Sequence, residues 1–148
     1  MAAFHVHLDP DLSAAETWRR VLDLRSHSVV IPLTTVRGTE LAATDLVPGS
    51  RFTARTAVGP VGFDDVMVID EITQPADGAG ARALIRKEGR VIRGDIELRV
   101  TPRGPGSSTL DWSQRISVRG VPRALGPVVA LVARAAYGRT IRQLLQRA

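Results

Sequence analysis

The sequence predicts an α+β fold in the order β-α-α-β6-α, with a curved antiparallel sheet gripping a long C-terminal helix. Three observations predict it. Strands between residues 81 and 118 alternate cleanly between apolar and charged side chains, the breaks between strands are short and rich in Gly and Pro, and a final stretch, about Arg123 to Gln146, carries an apolar stripe at helical spacing. A sheet with one apolar face and a helix with one apolar stripe each need cover, and each supplies the other's. The 148 residues suit one domain, 1–148, which buries roughly 70% of its unfolded surface without crosslinks.

The elements follow in order. Phe4-His5-Val6-His7-Leu8 alternates with period two, placing Phe4, Val6 and Leu8 on one strand face. Asp9-Pro10-Asp11 ends it. Ser13 followed three residues later by Glu16 is a capping box, and Ala14, Trp18, Val21 and Leu22 form one stripe of the helix it opens. A second helix or turn over Leu24–Val30 is stopped by Pro32. Thr34–Val36 is a short strand, 39–49 is undefined, and strands follow over Arg51–Val58, Phe63–Ile72, Ala81–Glu88, Val91–Val100 and Thr109–Val118. The breaks are Gly59-Pro60-Val61-Gly62, Gln74–Gly80, Gly89-Arg90 and Pro102–Ser108.

Faces can be assigned. Ile92, Gly94, Ile96, Leu98 and Val100 oppose Arg93, Asp95, Glu97 and Arg99, and Leu110, Trp112, Gln114, Ile116 and Val118 oppose Asp111, Ser113, Arg115 and Ser117. A tight turn at Gly89-Arg90 pairs Glu88 with Val91 and puts Ala83, Ile85 and Lys87 inside. On Phe63–Ile72 both faces look apolar, and Phe63, Met67 and Ile69 are taken as inner. The last helix shows the stripe Leu125, Val129, Val132, Ala136, with Ile141, Leu144 and Leu145 on a rotated face after Gly138.

Composition excludes several chemistries. With no cysteine there is no disulfide, thiolate metal site or cysteine nucleophile. The longest apolar run, Pro127–Ala133, is short of the roughly 20 residues of a membrane span, and no signal-peptide pattern opens the chain, so a cytoplasmic protein is expected. Charge is uneven. Residues 1–111 hold thirteen cations against fifteen carboxylates, a net −2, whereas Arg115, Arg119, Arg123, Arg134, Arg139, Arg142 and Arg147 give the remainder +7. Such a segment suits nucleic acid or an anionic surface, but it reads first as a solvated helix face, since few aromatics interleave with it.

The entry segment Leu8-Asp9-Pro10, then Thr17-Trp18, Val21-Leu22-Asp23-Leu24, His27 and Ile31-Pro32, resembles the SRPBCC superfamily, with its START-like, polyketide cyclase/dehydrase-like and plant pollen-allergen-like proteins. It looks like the actinobacterial branch. Gly49-Ser50-Arg51-Phe52, the stretch from Gly62 to Val68, and Val91-Ile92-Arg93-Gly94 fit the strand pattern. The resemblance spans essentially the whole chain. It implies a helix-grip fold whose cavity, between sheet and long helix, takes a lipid, polyketide, isoprenoid or other apolar molecule. Carriers, cyclases, sensors and ribosome-associated proteins share that fold, which does not choose among them.

On this reading the ligand-binding candidates are Trp18, Phe52, Phe63, Met67, Ile85, Lys87, Ile96, Leu98, Trp112, Gln114, Leu125, Val129, Val132 and Ala136. Gln114, Lys87 or one inward Asp orients the ligand's polar end. Asp64 and Asp65 face opposite ways, so one points inward and requires a donor such as an arginine. His27, with Asp23 four residues earlier, is a candidate acid–base if it reaches the cavity, and otherwise a cap or surface residue. His5 and His7 have metal-ligand spacing, but no third ligand stands near them in sequence and both face away from the core side, so no metal and no cofactor is expected. The expected function is non-catalytic binding of a hydrophobic or amphipathic small molecule. A cyclase/dehydratase using His27 and Asp65, or an interaction protein using the basic segment, are the alternatives.

Overall fold

The computed structural model describes residues 2–76 and 78–146. In chain order the elements are β1 (Ala2–Leu8), α1 (Ala14–Val21), α2 (Leu24–Val30), β2 (Thr34–Gly38), β3 (Arg51–Val58), β4 (Val61–Thr73), β5 (Ala81–Glu88), β6 (Ile92–Gly104), β7 (Ser107–Val118) and α3 (Gly126–Gln146), with 3₁₀ turns at Ala43–Asp45 and Arg123–Leu125. The seven strands form one antiparallel sheet in the order β1-β7-β6-β5-β4-β3-β2. This is the architecture expected from the sequence.

Three hairpins differ in detail. The β3–β4 turn is only Gly59-Pro60, because Val61 and Gly62 pair with Val58 and Ala57. Between β5 and β6, Glu88 pairs with Arg93 rather than Val91. That shift of two residues preserves parity, so Ala83, Ile85 and Lys87 still face inward. β6 runs through Pro102 to Gly104 by means of a register irregularity, and its tip is anchored where Ser108 N–H donates to Pro10 O at 3.2 Å and the Thr17 and Ser108 hydroxyls bond at 2.8 Å.

The ambiguity of β4 has a physical origin. Phe63, Asp65, Met67 and Ile69 follow one face, then a bulge at Asp70 shifts the register so that Ile72 joins the same side. A bulge bends the strand and increases its twist. Together with Gly94, at φ +141° in β6, it helps to curve the sheet around its apolar face.

Ser13 caps α1 by accepting from Glu16 N–H at 3.1 Å. The Glu16 side chain does not complete a capping box. It accepts instead from Arg19 (2.6 and 3.0 Å) and Arg20 (2.7 Å), while Arg20 also donates to Leu145 O at 2.6 Å and ties α1 to the end of α3. The two guanidiniums hold the Glu16 carboxyl down at about 2. A depressed carboxylate stabilises the fold above its unfolded pKa and loses that contribution as pH falls through the folded one. Glu16→Gln is therefore expected to cost about 0.5–1 kcal/mol near pH 7, a part-exposed pair being well screened. The difference from wild type should shrink between about pH 5 and pH 2 in urea titrations.

The loop over 39–49 is pinned rather than free. Leu24 N–H donates to Leu41 O at 2.9 Å, and Gln74 accepts from Trp18 Nε1 at 2.9 Å while donating to Ala43 O at 2.9 Å. Trp18 is thus a core residue locked by its ring nitrogen.

The final helix departs most from expectation. Its inward residues are Ala130, Ala133, Tyr137, Ile141 and Leu144, spaced by three or four. Leu125 falls in the 3₁₀ turn before the helix and is 47% exposed, and Val132 is 62% exposed. The first half of α3 is apolar almost all round, so periodicity alone did not choose its buried stripe. Among the described residues, no helix is long and apolar enough to cross a membrane.

Candidate functional site

The inner face of the sheet is divided between two occupants. α1 packs on β6 and β7 and fills the half of the sheet around Leu98, Val100 and Leu110. The other half, over β2–β5 and the start of β6, is left under α2 and the C-terminal half of α3. A cavity of about 240 Å³ lies there.

Of the fourteen expected ligand-binding residues, Phe52, Phe63, Met67, Ile85, Lys87, Ile96, Trp112 and Ala136 line this cavity. The other six are not in its wall. Trp18 and Leu98 share the inner face but lie on the α1 side, where packing leaves no space. Gln114 is buried against Trp112, whose Nε1 donates to its Oε1 at 3.0 Å, and the Gln114 Nε2 has no partner among the described residues. Leu125, Val129 and Val132 are excluded by the rotation of the α3 stripe: Leu125 and Val132 face outward, and Val129 packs partly on the core.

Four titratable side chains, Asp65, Lys87, Tyr137 and His27, line the cavity beside three threonines. β4 brings Asp65 inward and Met67↔Lys87 pairing brings Lys87 to the neighbouring strand. Their ion pair is buried, with the Lys87 side chain only 1% exposed. The inward carboxylate thus finds a lysine, where an arginine was expected. Asp64 faces outward and meets Arg55 at 3.3 Å. Tyr137 reaches down from α3, its ring 5.6 Å from Lys87 Nζ and 5.4 and 5.7 Å from the rings of Phe4 and Trp112. Burial works against the Lys87 charge, but Tyr137 and Asp65 outweigh it and the amine lies above its ordinary value. Asp65 Oδ1 is buried without a hydrogen-bond partner among the described residues.

His27, on α2, lines the cavity and donates from Nε2 to Val21 O at 2.8 Å. Burial pushes its pKa below the ordinary value, and the Lys87 charge acts in the same direction against the Val21 carbonyl and Asp23. The ring is therefore neutral at pH 7. Asp23 does not orient it; that carboxylate accepts from Ser26 Oγ at 2.9 Å. Tyr137 was missed from the sequence, although a lone tyrosine four residues from Ala133 and Ile141 on an apolar helix was the available signal. In the basic C-terminal segment Arg115 is paired with Asp95, Arg134, Arg139 and Arg142 are exposed on α3, and Arg147 lies outside the described residues.

No protein-family profile matches the chain, and no curated protein matches it in sequence. Its likeness is structural. A START superfamily protein from Mycobacterium smegmatis superposes with a TM-score of 0.68 at 14% identity, covering 99% of this chain and 95% of that one. The crystal structure of Ara h 8.0201 gives 0.67 at 12% identity, over 98% of each chain. The Zhui aromatase/cyclase from Streptomyces sp. R1128 gives 0.64 at 10% identity, covering 98% and 93%. Identities this low speak to the fold alone. The curved seven-stranded sheet closed by a long C-terminal helix is a helix-grip fold, the architecture it has in common with the START superfamily protein and Ara h 8.0201.

Proposed function

We propose that residues 1–148 act as one helix-grip domain that binds a compact, neutral, amphipathic small molecule in the cavity. The observation that carries this is a largely apolar hollow whose charges already cancel. Phe52, Phe63, Met67, Ile85, Ile96 and Trp112 supply an apolar wall, while His27, Tyr137 and Thr140 offer polar atoms beside the Lys87–Asp65 pair. A ligand carboxylate has to compete with Asp65 for Lys87, and a ligand amine with Lys87 for Asp65, so a hydroxyl or carbonyl is favoured. A hollow of about 240 Å³ suits a molecule of aromatic or terpenoid size. Exposed Val29 and Leu33 at the α2–β2 corner, and Val58 and Val61 at the β3–β4 tip, flank the wall residues Ile31, Thr34, Thr56 and Phe63 and give an apolar approach.

Catalysis of cyclase type is the alternative, favoured by the neutral His27 in the cavity wall and by an aromatase/cyclase among the structural neighbours. Binding ranks ahead because the Asp65 charge is committed to Lys87.

The neutral fluorophore N-phenyl-1-naphthylamine tests the proposal. Saturable one-to-one uptake is expected, with displacement by neutral aromatic or terpenoid alcohols at lower concentration than by the matching carboxylic acids. Ala136→Trp, which projects bulk into the cavity from an exposed helical position, should weaken uptake about tenfold or more while the melting temperature holds. No saturable uptake, or uptake unchanged by Ala136→Trp, would sink the reading.

A further inference from the structure

A second cluster of chemistry-bearing side chains lies on the opposite side of the β1–β7 edge from the cavity. Alternation along β1 buries Phe4 and Val6 and turns His5 and His7 to solvent. The strand register then places His5 across from Ser113 and His7 across from Asp111. Asp111 Oδ1 lies 3.1 Å from His5 Nε2 and 2.8 Å from His7 Nδ1. One ligand atom from each of the three residues lies within 4.8 Å of the other two. The remaining ring nitrogens also have partners: His5 Nδ1 is 2.9 Å from Ser113 Oγ, and His7 Nε2 is 3.3 Å from Asp9 Oδ2.

We propose that His5, His7 and Asp111 form a site for a divalent transition-metal ion of the Zn(II) type. Its ligands would be His5 Nε2, His7 Nδ1 and an Asp111 carboxylate oxygen. Two imidazoles and one carboxylate are a donor set that zinc accepts, and the exposure of the cluster leaves a fourth position for water. Ligand atoms about 2.0–2.2 Å from a tetrahedral zinc stand roughly 3.4 Å apart. The two spacings to Asp111, 2.8 and 3.1 Å, need only a small outward movement, and one ligand atom from each of the three residues already lies within 4.8 Å of the others. Zinc would take the place of the proton in each histidine–Asp111 bond, and that proton either leaves to solvent, from a doubly protonated ring, or moves to the ring's other nitrogen. Each ring would then present an N–H toward its outer partner, Ser113 for His5 and Asp9 for His7. Metal-bound histidines are usually oriented by an outer partner of this kind.

Calorimetric titration with zinc chloride in a non-chelating buffer, followed in parallel by NMR of the histidine rings, tests the site. One zinc per chain is expected, with the His5 and His7 ring signals moving and those of His27 in the cavity wall unchanged. His5→Gln and Asp111→Asn should each weaken binding about tenfold or more, and His5→Gln/His7→Gln should abolish it. Asp9→Asn should weaken it less than any ligand substitution. His5, His7 and Asp9 are exposed and Asp111 is half-buried, so unchanged melting temperatures without metal will show that the variants fold. Absence of saturable zinc binding overturns the proposal. So does equal affinity in the double-histidine variant, or a response confined to His27.

Discussion

Gly94→Ala is expected to disrupt the sheet. Gly94 has φ +141°, and a Cβ there would lie 1.9 Å from Arg115 O and 3.2 Å from Ile116 Cα, both backbone atoms of the paired strand. Neither obstacle can rotate away, so relief requires β6 and β7 to separate locally. Steric conflict added to an unfavourable backbone conformation puts the cost at about 4 kcal/mol or more. Domains of this kind have only ~5–15 kcal/mol to lose. Gly94 also pairs with Lys87 across β5–β6, so fluorophore uptake should fall together with stability. Gly106→Ala is the matched control, because an added Cβ there meets nothing within 4 Å. Urea unfolding of the two variants decides the matter: a Gly94→Ala loss below about 1 kcal/mol, the ordinary cost of a point substitution, would contradict the register at Gly94↔Ile116.

Lys87→Met should have the second largest effect. It strands the Asp65 carboxylate in the wall of an apolar cavity, where Oδ1 already lacks a partner among the described residues. Breaking one side of a buried ion pair costs about 3–5 kcal/mol, whereas replacing both partners with apolar groups is often close to neutral. Asp65→Leu/Lys87→Met is therefore expected to recover most of the loss in denaturant titrations. The same double variant should still take up N-phenyl-1-naphthylamine, and neutral alcohols should displace it no better than the parent hydrocarbons, because the wall then has no charged pair to meet a hydroxyl. A single variant as stable as wild type would mean that the two charges do not meet in the folded protein.

Legibility in the sequence followed the range of the interaction. The capping serine of α1, the limits of α2, β3 and β5, and the inner faces of β5, β6 and β7 were all readable, because caps and alternation act over a few residues. Four cavity residues, Ile85, Lys87, Ile96 and Trp112, followed from those faces, while Phe52 came from β3, Phe63 and Met67 from β4, and Ala136 from the α3 stripe. The Asp70 bulge was not readable, since it is a mismatch between two strands and not a pattern within one. The buried stripe of α3 was missed because Val128, Val129, Leu131 and Val132 make its first half apolar on several sides. Tyr137 was lost with that stripe, and with it the fourth titratable side chain of the wall.

What the sequence determined by itself is the alternation of strands and helices and the side of the sheet that is apolar, because those depend on periods of two and 3.6 residues along one segment. Tertiary structure alone decided where along that shared face α1 packs solid and where a hollow remains. It also decided that Lys87 meets Asp65, and that Asp111 closes on His5 and His7. Those outcomes depend on register and helix placement between segments separated by 22 residues in the first case and by more than 100 in the second, distances over which no local period carries information.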